Sequence, residues 1–131
     1  MILLDTHTLI WWASADAALS EPARAAIDHE LVGGEVLVSS ITAWEISMLV
    51  AHERLVLLMD VETWLATVAQ VGVVRFVAVD NDIAIKSTQL PGDFHKDPAD
   101  RMIVATARKL AIPLITKDEK IRAYPHVKTI W

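Results

Sequence analysis

Short apolar runs alternate with longer amphipathic stretches along the whole chain. Five of these runs are apolar on both faces, a pattern typical of buried parallel strands. We therefore predict strands at residues 1–5, 36–38, 73–79, 114–116 and 127–130.

Helix signals fill the intervals between the predicted strands. Ser20 is the predicted N-cap of a helix that has Pro22 in its first turn, and Gly33-Gly34 ends this helix. Asp97-Pro98 marks another strong helix start. The predicted helices cover residues 7–15, 20–31, 39–53, 60–71, 80–90 and 97–111. Strands that alternate with helices indicate one α/β domain over residues 1–131, with a mainly parallel sheet between helical layers.

Four acidic residues fall where this architecture brings them to one edge of the sheet. Asp5 and Asp118 directly follow the first and fourth strands. Asp100 lies in the first turn of the helix that Asp97 opens, and Glu45 lies near the start of the helix after the second strand. Carboxyl ends of parallel strands share one edge, where ligands bind to sheets of this kind. If the first and fourth strands are neighbours, all four carboxylates share one cleft.

Such a cleft indicates metal-dependent phosphoryl chemistry. Clustered carboxylates repel each other, and their oxygens suit Mg²⁺ or Mn²⁺. A metal held in this way favours a nucleic acid as substrate, and the hydroxyls of Thr6 and Thr116 would stand beside it. Taken alone, Asp5, Asp100 and Asp118 each also fit a turn or a helix cap. The neighbouring Asp97 fits a helix cap best of all. Glu45 is the hardest to explain structurally, because it interrupts an otherwise apolar helix.

Charge and composition restrict which kinds of molecule the chain can bind. The net charge of −5 argues against a nucleic-acid binder, yet residues 63–131 hold ten basic and seven acidic residues. Most of these basic residues fit solvated helix faces, but Lys96, Arg101 and Lys117 are candidates for phosphate contacts. The chain has no cysteine and no apolar stretch long enough to span a membrane, so we expect a cytoplasmic protein. A hydrophobic content of 53% favours contact with another chain, and we expect a homodimer.

The remaining polar and aromatic residues give weaker signals. Five histidines show no metal-ligand spacing, and His95, although near the cleft, is interpreted as a surface residue. Trp11, Trp12, Trp44 and Trp64 are interpreted as core or interface residues.

Four stretches in order carry a family resemblance. They are LLDTH at 3–7, SSITAWEI at 39–46, DPADRMIVATA at 97–107 and LITKD at 114–118. With them the chain resembles the PIN-domain ribonucleases, specifically the VapC-type toxins of bacterial toxin–antitoxin pairs. The resemblance implies a three-layer α/β/α sandwich with sheet order 3-2-1-4-5, Mg²⁺- or Mn²⁺-dependent cleavage of RNA, and inhibition by a cognate antitoxin.

The resemblance also assigns the site. The family's acids map onto Asp5, Glu45, Asp100 and Asp118, and we prefer Asp100 to Asp97 because the family's helix follows it. Two alternatives stay open. One is a catalytically silent PIN-like scaffold that binds RNA or protein, and the other is a phosphoacceptor receiver domain. The receiver is disfavoured because Asp5-Thr6 supplies only one acid where paired acids are normal.

Overall fold

One parallel sheet runs through the centre of the molecule. In the computed structural model, which describes residues 1–131, its strands are β1 (Ile2–Leu4), β2 (Val36–Ser39), β3 (Val74–Val77), β4 (Leu114–Ile115) and β5 (Thr129–Ile130). All neighbours pair in parallel, in the order β3-β2-β1-β4-β5. The predicted order is therefore confirmed. The outer strands are shorter than predicted, because β3 pairs with a four-residue β2 and β5 with a two-residue β4.

Seven helices cover the two faces of the sheet. They are α1 (Thr6–Ala13), α2 (Glu21–Leu31), α3 (Ser40–Ala51), α4 (Val61–Ala69), α5 (Asn81–Thr88), α6 (Pro98–Leu110) and α7 (Glu119–Ala123). Six lie where helices were predicted, with Ser20, Ser39 and Asp97 as N-caps. The short α7 was not predicted. None of the seven combines the length and the hydropathy that crossing a membrane requires.

Side chains alternate between two apolar cores along the central strands. Ile2 and Leu4 of β1 point to the core that α1 to α4 cover, which includes Leu9, Ile27 and Ile46. The intervening Leu3 points to the other core, together with Leu37 and Leu114 and with residues of α5, α6 and α7. A period of two with both faces buried is what a parallel sheet between helical layers requires. The three-layer α/β/α architecture is confirmed.

The connections place several helix starts at the carboxyl edge of the sheet. Asp5 follows β1 and caps α1, and Ser39 ends β2 and caps α3. Each of these two helices therefore begins at the edge where its strand ends. The start of α6 lies close to the same edge, because the carboxylate of Asp100 lines a pocket there together with Asp5.

The end of α6 provides a test of backbone strain. Ala111 adopts a left-handed conformation with φ 54°, which glycine adopts without the steric cost of a Cβ atom. We expect Ala111→Gly to raise the free energy of unfolding by about 0.5–1 kcal/mol. The same change in the middle of α4, Ala66→Gly, should lower it by a similar amount. Urea unfolding of both variants measures this, and equal signs would contradict the assignment of strain to Ala111.

Candidate active site

A polar pocket of about 410 Å³ opens at the carboxyl edge of the sheet. It collects side chains that are far apart in the sequence: the four predicted acids Asp5, Glu45, Asp100 and Asp118, with Thr6, His7, Trp11, Ile103, Lys117 and Glu119. The pocket therefore contains the carboxylate cluster that the sequence predicted.

Hydrogen bonds hold both carboxylate oxygens of Asp5 in the pocket. As the N-cap of α1 it accepts a hydrogen bond from the Thr8 amide at 2.9 Å on Oδ1. Its Oδ2 accepts a hydrogen bond from the hydroxyl of Thr116, the residue directly after β4. Thr116 Oγ1 accepts in turn from the Asp118 amide at 3.1 Å. One buried hydroxyl thus connects the backbone of Asp118 to the carboxylate of Asp5.

Glu45 is held by a second pair of threonines. Its Oε1 accepts a hydrogen bond from Thr6 Oγ1 at 2.6 Å, and Thr6 Oγ1 lies 3.0 Å from Thr42 Oγ1. Both hydroxyls are buried. A carboxylate in an apolar helix needs a polar partner, and here a threonine supplies it. Thr6 and Thr116 therefore both stand beside the cleft as donors.

Asp97 and Asp100 occupy different positions at the start of α6. Asp97 is the N-cap and accepts from the Asp100 amide at 2.9 Å. Asp100 Oδ2 lies 3.0 Å from His95 Nε2. That nitrogen is shielded from solvent and has no well-formed hydrogen bond. The interpretation of His95 as a surface residue was wrong, since its side chain is only 22% exposed and it borders the carboxylate cluster.

Arg101 explains why His95 is drawn inward. Its guanidinium donates to the carbonyl oxygens of Ser87 at 2.8 Å, Phe94 at 2.9 Å and His95 at 3.0 Å. These bonds tie the loop that carries His95 to α6. The structure thus gives Arg101 a role in positioning this loop, and its predicted contact with RNA stays a prediction.

Two other basic side chains lie nearer to solvent. Lys117 is exposed, lines the pocket and has its Nζ 5.7 Å from the centre of the Trp11 ring. Lys96 is exposed in the loop before α6. Trp11 was not predicted as a pocket residue, because an indole in an apolar helix gives no sequence signal that separates a pocket wall from a core.

Burial raises the pKa of three carboxylates in the pocket, and for Glu45 and Asp100 the charges of acidic neighbours raise it further. Burial raises the pKa of Asp5, and the hydrogen bonds it accepts partly offset the rise. Burial also raises the pKa of Glu45. The pKa of Asp100 rises from 3.8 to about 7, chiefly through burial and then through the negative charges of its acidic neighbours. Perturbation of this kind is characteristic of functional sites.

The donor set fits a divalent cation. Its ligands are carboxylate oxygens, the type that Mg²⁺ and Mn²⁺ prefer. No lysine or arginine forms an ion pair with any of the four acids, and the basic side chain in direct contact with them is His95, beside Asp100. As the side chains stand, no three acidic or histidine groups converge tightly enough to chelate an ion. Mg²⁺ commonly takes one or two carboxylates and keeps several waters, so it does not need a closed cage of protein ligands.

The chain belongs to the PIN-domain family, whose model matches residues 2–127. Ribonuclease VapC22 from Mycobacterium tuberculosis is 36% identical over 132 residues, which cover 99% of this chain and 98% of that relative. Among solved structures, FitAcB from Neisseria gonorrhoeae has a TM-score of 0.69 at 23% identity, covering 98% of this chain and 96% of its own. A toxin–antitoxin complex from Klebsiella pneumoniae has a TM-score of 0.59 at 21% identity, and the match covers 97% of this chain and 95% of that chain. VapC-type ribonucleases of this family generally depend on divalent metal ions.

The raised pKa of Asp100 predicts that its ionised carboxylate lowers the free energy of unfolding of the metal-free protein. Between pH 3.8 and about 7 the folded state retains a proton that the unfolded chain releases, so stability falls as the pH rises through this window. The upper limit of the effect is about 4 kcal/mol, and solvent screening of this partly exposed group reduces it. Asp100→Asn should therefore be about 1–3 kcal/mol more stable than the wild type at pH 8.

The measurement is urea unfolding in EDTA at pH 8 and pH 5. The difference between the two proteins should shrink at pH 5, because the wild-type carboxyl is then mostly protonated when folded. A difference that is absent at pH 8, or equal at both pH values, would contradict the electrostatic interpretation.

Proposed function

We propose that the protein is the toxin of a toxin–antitoxin pair, and that it is a ribonuclease that hydrolyses phosphodiester bonds in RNA. One observation carries the proposal: four acids from different elements line one pocket in a PIN-domain chain. The full-length similarity to a ribonuclease supports the substrate class.

Asp5 and Asp100 are the proposed ligands of a principal Mg²⁺, or Mn²⁺, and Asp118 and Glu45 complete the site directly or through water. When bound, the cation supplies Lewis acidity, which acidifies water and offsets charge on the phosphate. The protein supplies orientation. Thr116 holds Asp5 and Thr6 holds Glu45 through hydrogen bonds to their carboxylates.

The attacking group in this proposal is water. The chain has no cysteine, and the hydroxyl of Ser39 is buried and accepts a hydrogen bond from the Ile41 amide. Lys117 at the pocket, with Lys96 nearby, supplies positive charge that positions the RNA backbone. A silent scaffold would keep the pocket without cleavage, so activity measurements separate the two functions.

We expect Asp5→Asn and Asp100→Asn each to lower RNA cleavage at least about a hundredfold in Mg²⁺ or Mn²⁺, because each removes a ligand charge and keeps the shape. EDTA should abolish wild-type cleavage. Asp97→Asn is the matched control and should be milder, since asparagine caps a helix about as well as aspartate. Circular dichroism checks that each variant is folded. An inactive Asp97→Asn beside an active Asp100→Asn would show that the third acid is Asp97.

An apolar groove on the surface is the proposed binding site for the antitoxin. It has a volume of about 590 Å³ and lies between the end of α1, α4 and the segment at residues 56–59. Val56 and Leu58 in its wall are almost fully exposed. Exposed apolar patches of this kind mark protein interfaces. The Klebsiella pneumoniae neighbour, of the same fold, is solved with an antitoxin, and we assign this groove to the antitoxin here.

We expect Leu58→Glu to weaken antitoxin binding at least about tenfold, because it places a charge in an apolar contact. Val32→Glu is the control, since Val32 is also largely exposed but lies outside the groove. Calorimetric titration with the purified antitoxin measures both affinities. Both variants should cleave RNA like the wild type when the antitoxin is absent. Equal affinities for the two variants would show that the antitoxin binds elsewhere.

We also propose that the isolated chain forms a homodimer and acts in the cytoplasm. Beyond the groove, Leu31 and Ile85 are large apolar side chains that remain exposed on a single chain. Static light scattering of the purified protein should give twice the chain mass of 14.5 kDa, and a strict monomer would remove the dimer from the proposal.

A further inference from the structure

A shallow pocket on α3 adjoins the carboxylate cluster, and we propose that it binds one unpaired RNA base, with Trp44 as the stacking surface. The proposal rests on the proposed ribonuclease function and adds a nucleotide subsite to it. It uses no residue of the carboxylate cluster except the shared lining residue Glu45.

Trp44 differs from the other tryptophans of the chain. The residue is 56% exposed, whereas the other tryptophans pack against the core beside the sheet: Trp11, Trp12, Trp64 and Trp131. It directly precedes Glu45 on α3. Exposed indoles are preferred surfaces for stacking bases, because every base has a π-face.

The pocket beside Trp44 is small and shares one lining residue with the acidic pocket. Its volume is about 170 Å³, and its lining residues are Trp44, Glu45, Met48, Leu49, His52 and Arg54. Typical ligand pockets measure about 300–1,000 Å³, so this one suits a single ring system. That shared residue is Glu45. Because Trp44 precedes Glu45 on α3 and both line this pocket, we infer that an RNA chain bound at the carboxylates can place a neighbouring base against Trp44.

Arg54 gives this pocket a positive charge in an acidic part of the protein. Residues 1–62 contain ten acids and only two basic residues, Arg24 and Arg54. Shortly after α3, Glu53 adopts a left-handed conformation, φ 58°, and the Arg54 amide donates back to the Leu49 carbonyl at 2.8 Å. This turn folds Arg54 back along α3.

The Arg54 side chain is free to meet a ligand. It is exposed and forms no ion pair. An unpaired guanidinium beside an indole matches a nucleotide, which presents a phosphate and an aromatic ring together. A protein partner would have to bring an acidic side chain to this cation, whereas RNA carries a phosphate at every nucleotide, and so we favour RNA.

Binding without cleavage tests the subsite independently of catalysis. The probes are 5′-labelled single-stranded decaadenylate and a decamer of the same backbone without bases, and fluorescence anisotropy in EDTA measures their affinities. Trp44→Ala should bind decaadenylate about tenfold more weakly than the wild type, and Trp44→Phe should retain most of the affinity. Trp44→Leu separates stacking from apolar contact and should behave like Trp44→Ala. Ile85→Ala removes an equally exposed apolar side chain on α5 and should leave the affinity for decaadenylate unchanged.

The controls distinguish the outcomes. All variants should bind the base-free decamer alike, because stacking is absent from it. Equal binding of decaadenylate by Trp44→Ala and the wild type, or no binding by the wild type, overturns the proposal. Loss of self-association in Trp44→Ala with RNA affinity unchanged would assign this face to a protein contact instead. Trp44-dependent binding by a protein that cleaves no RNA would refute the ribonuclease function and leave the subsite standing.

Discussion

The pairing of β1 with β4 is the contact on which the site depends. Leu3 pairs with Leu114 and Leu4 with Ile115, although these strands lie more than a hundred residues apart. One residue beyond the second pair, the Thr116 hydroxyl reaches the Asp5 carboxylate. A shift of one residue in this register would turn Thr116 to the other face of the sheet and separate the two groups. The apolar pairing therefore sets the geometry of the polar edge.

Hydroxyls and amides, not cations, hold the carboxylates in place. Asp5 and Glu45 accept their hydrogen bonds from threonines, and no lysine or arginine pairs with them. This arrangement fixes their orientation and leaves their charge uncompensated. The raised pKa of Asp100, about 7, shows what that costs the metal-free protein. Proteins retain such unfavourable groups where function requires them, which agrees with the proposed metal-dependent site.

Much of the fold could be predicted from sequence, because buried parallel strands and helix caps give strong local signals. The acids could be placed at one edge because chain order and handedness restrict where helices begin. The missed features give no such local signal. The five-residue α7 buries only Ile121 and has no apolar period to detect. His95 is drawn inward by Arg101, through bonds to loop carbonyls that no sequence pattern encodes. The pocket beside Trp44 likewise emerges only when the end of α3 folds back.

The most direct test of the central claim is proton release on metal binding. Calorimetric titration of Mn²⁺ into the metal-free protein, in buffers of different ionisation enthalpy, counts the protons displaced. Because the pKa of Asp100 is about 7, we expect release of about half a proton per ion at pH 7 and almost none at pH 8.5. Asp100→Asn should bind more weakly and release none at either pH. No saturable binding, or binding by Asp100→Asn equal to that of the wild type, would contradict a metal site built on these carboxylates.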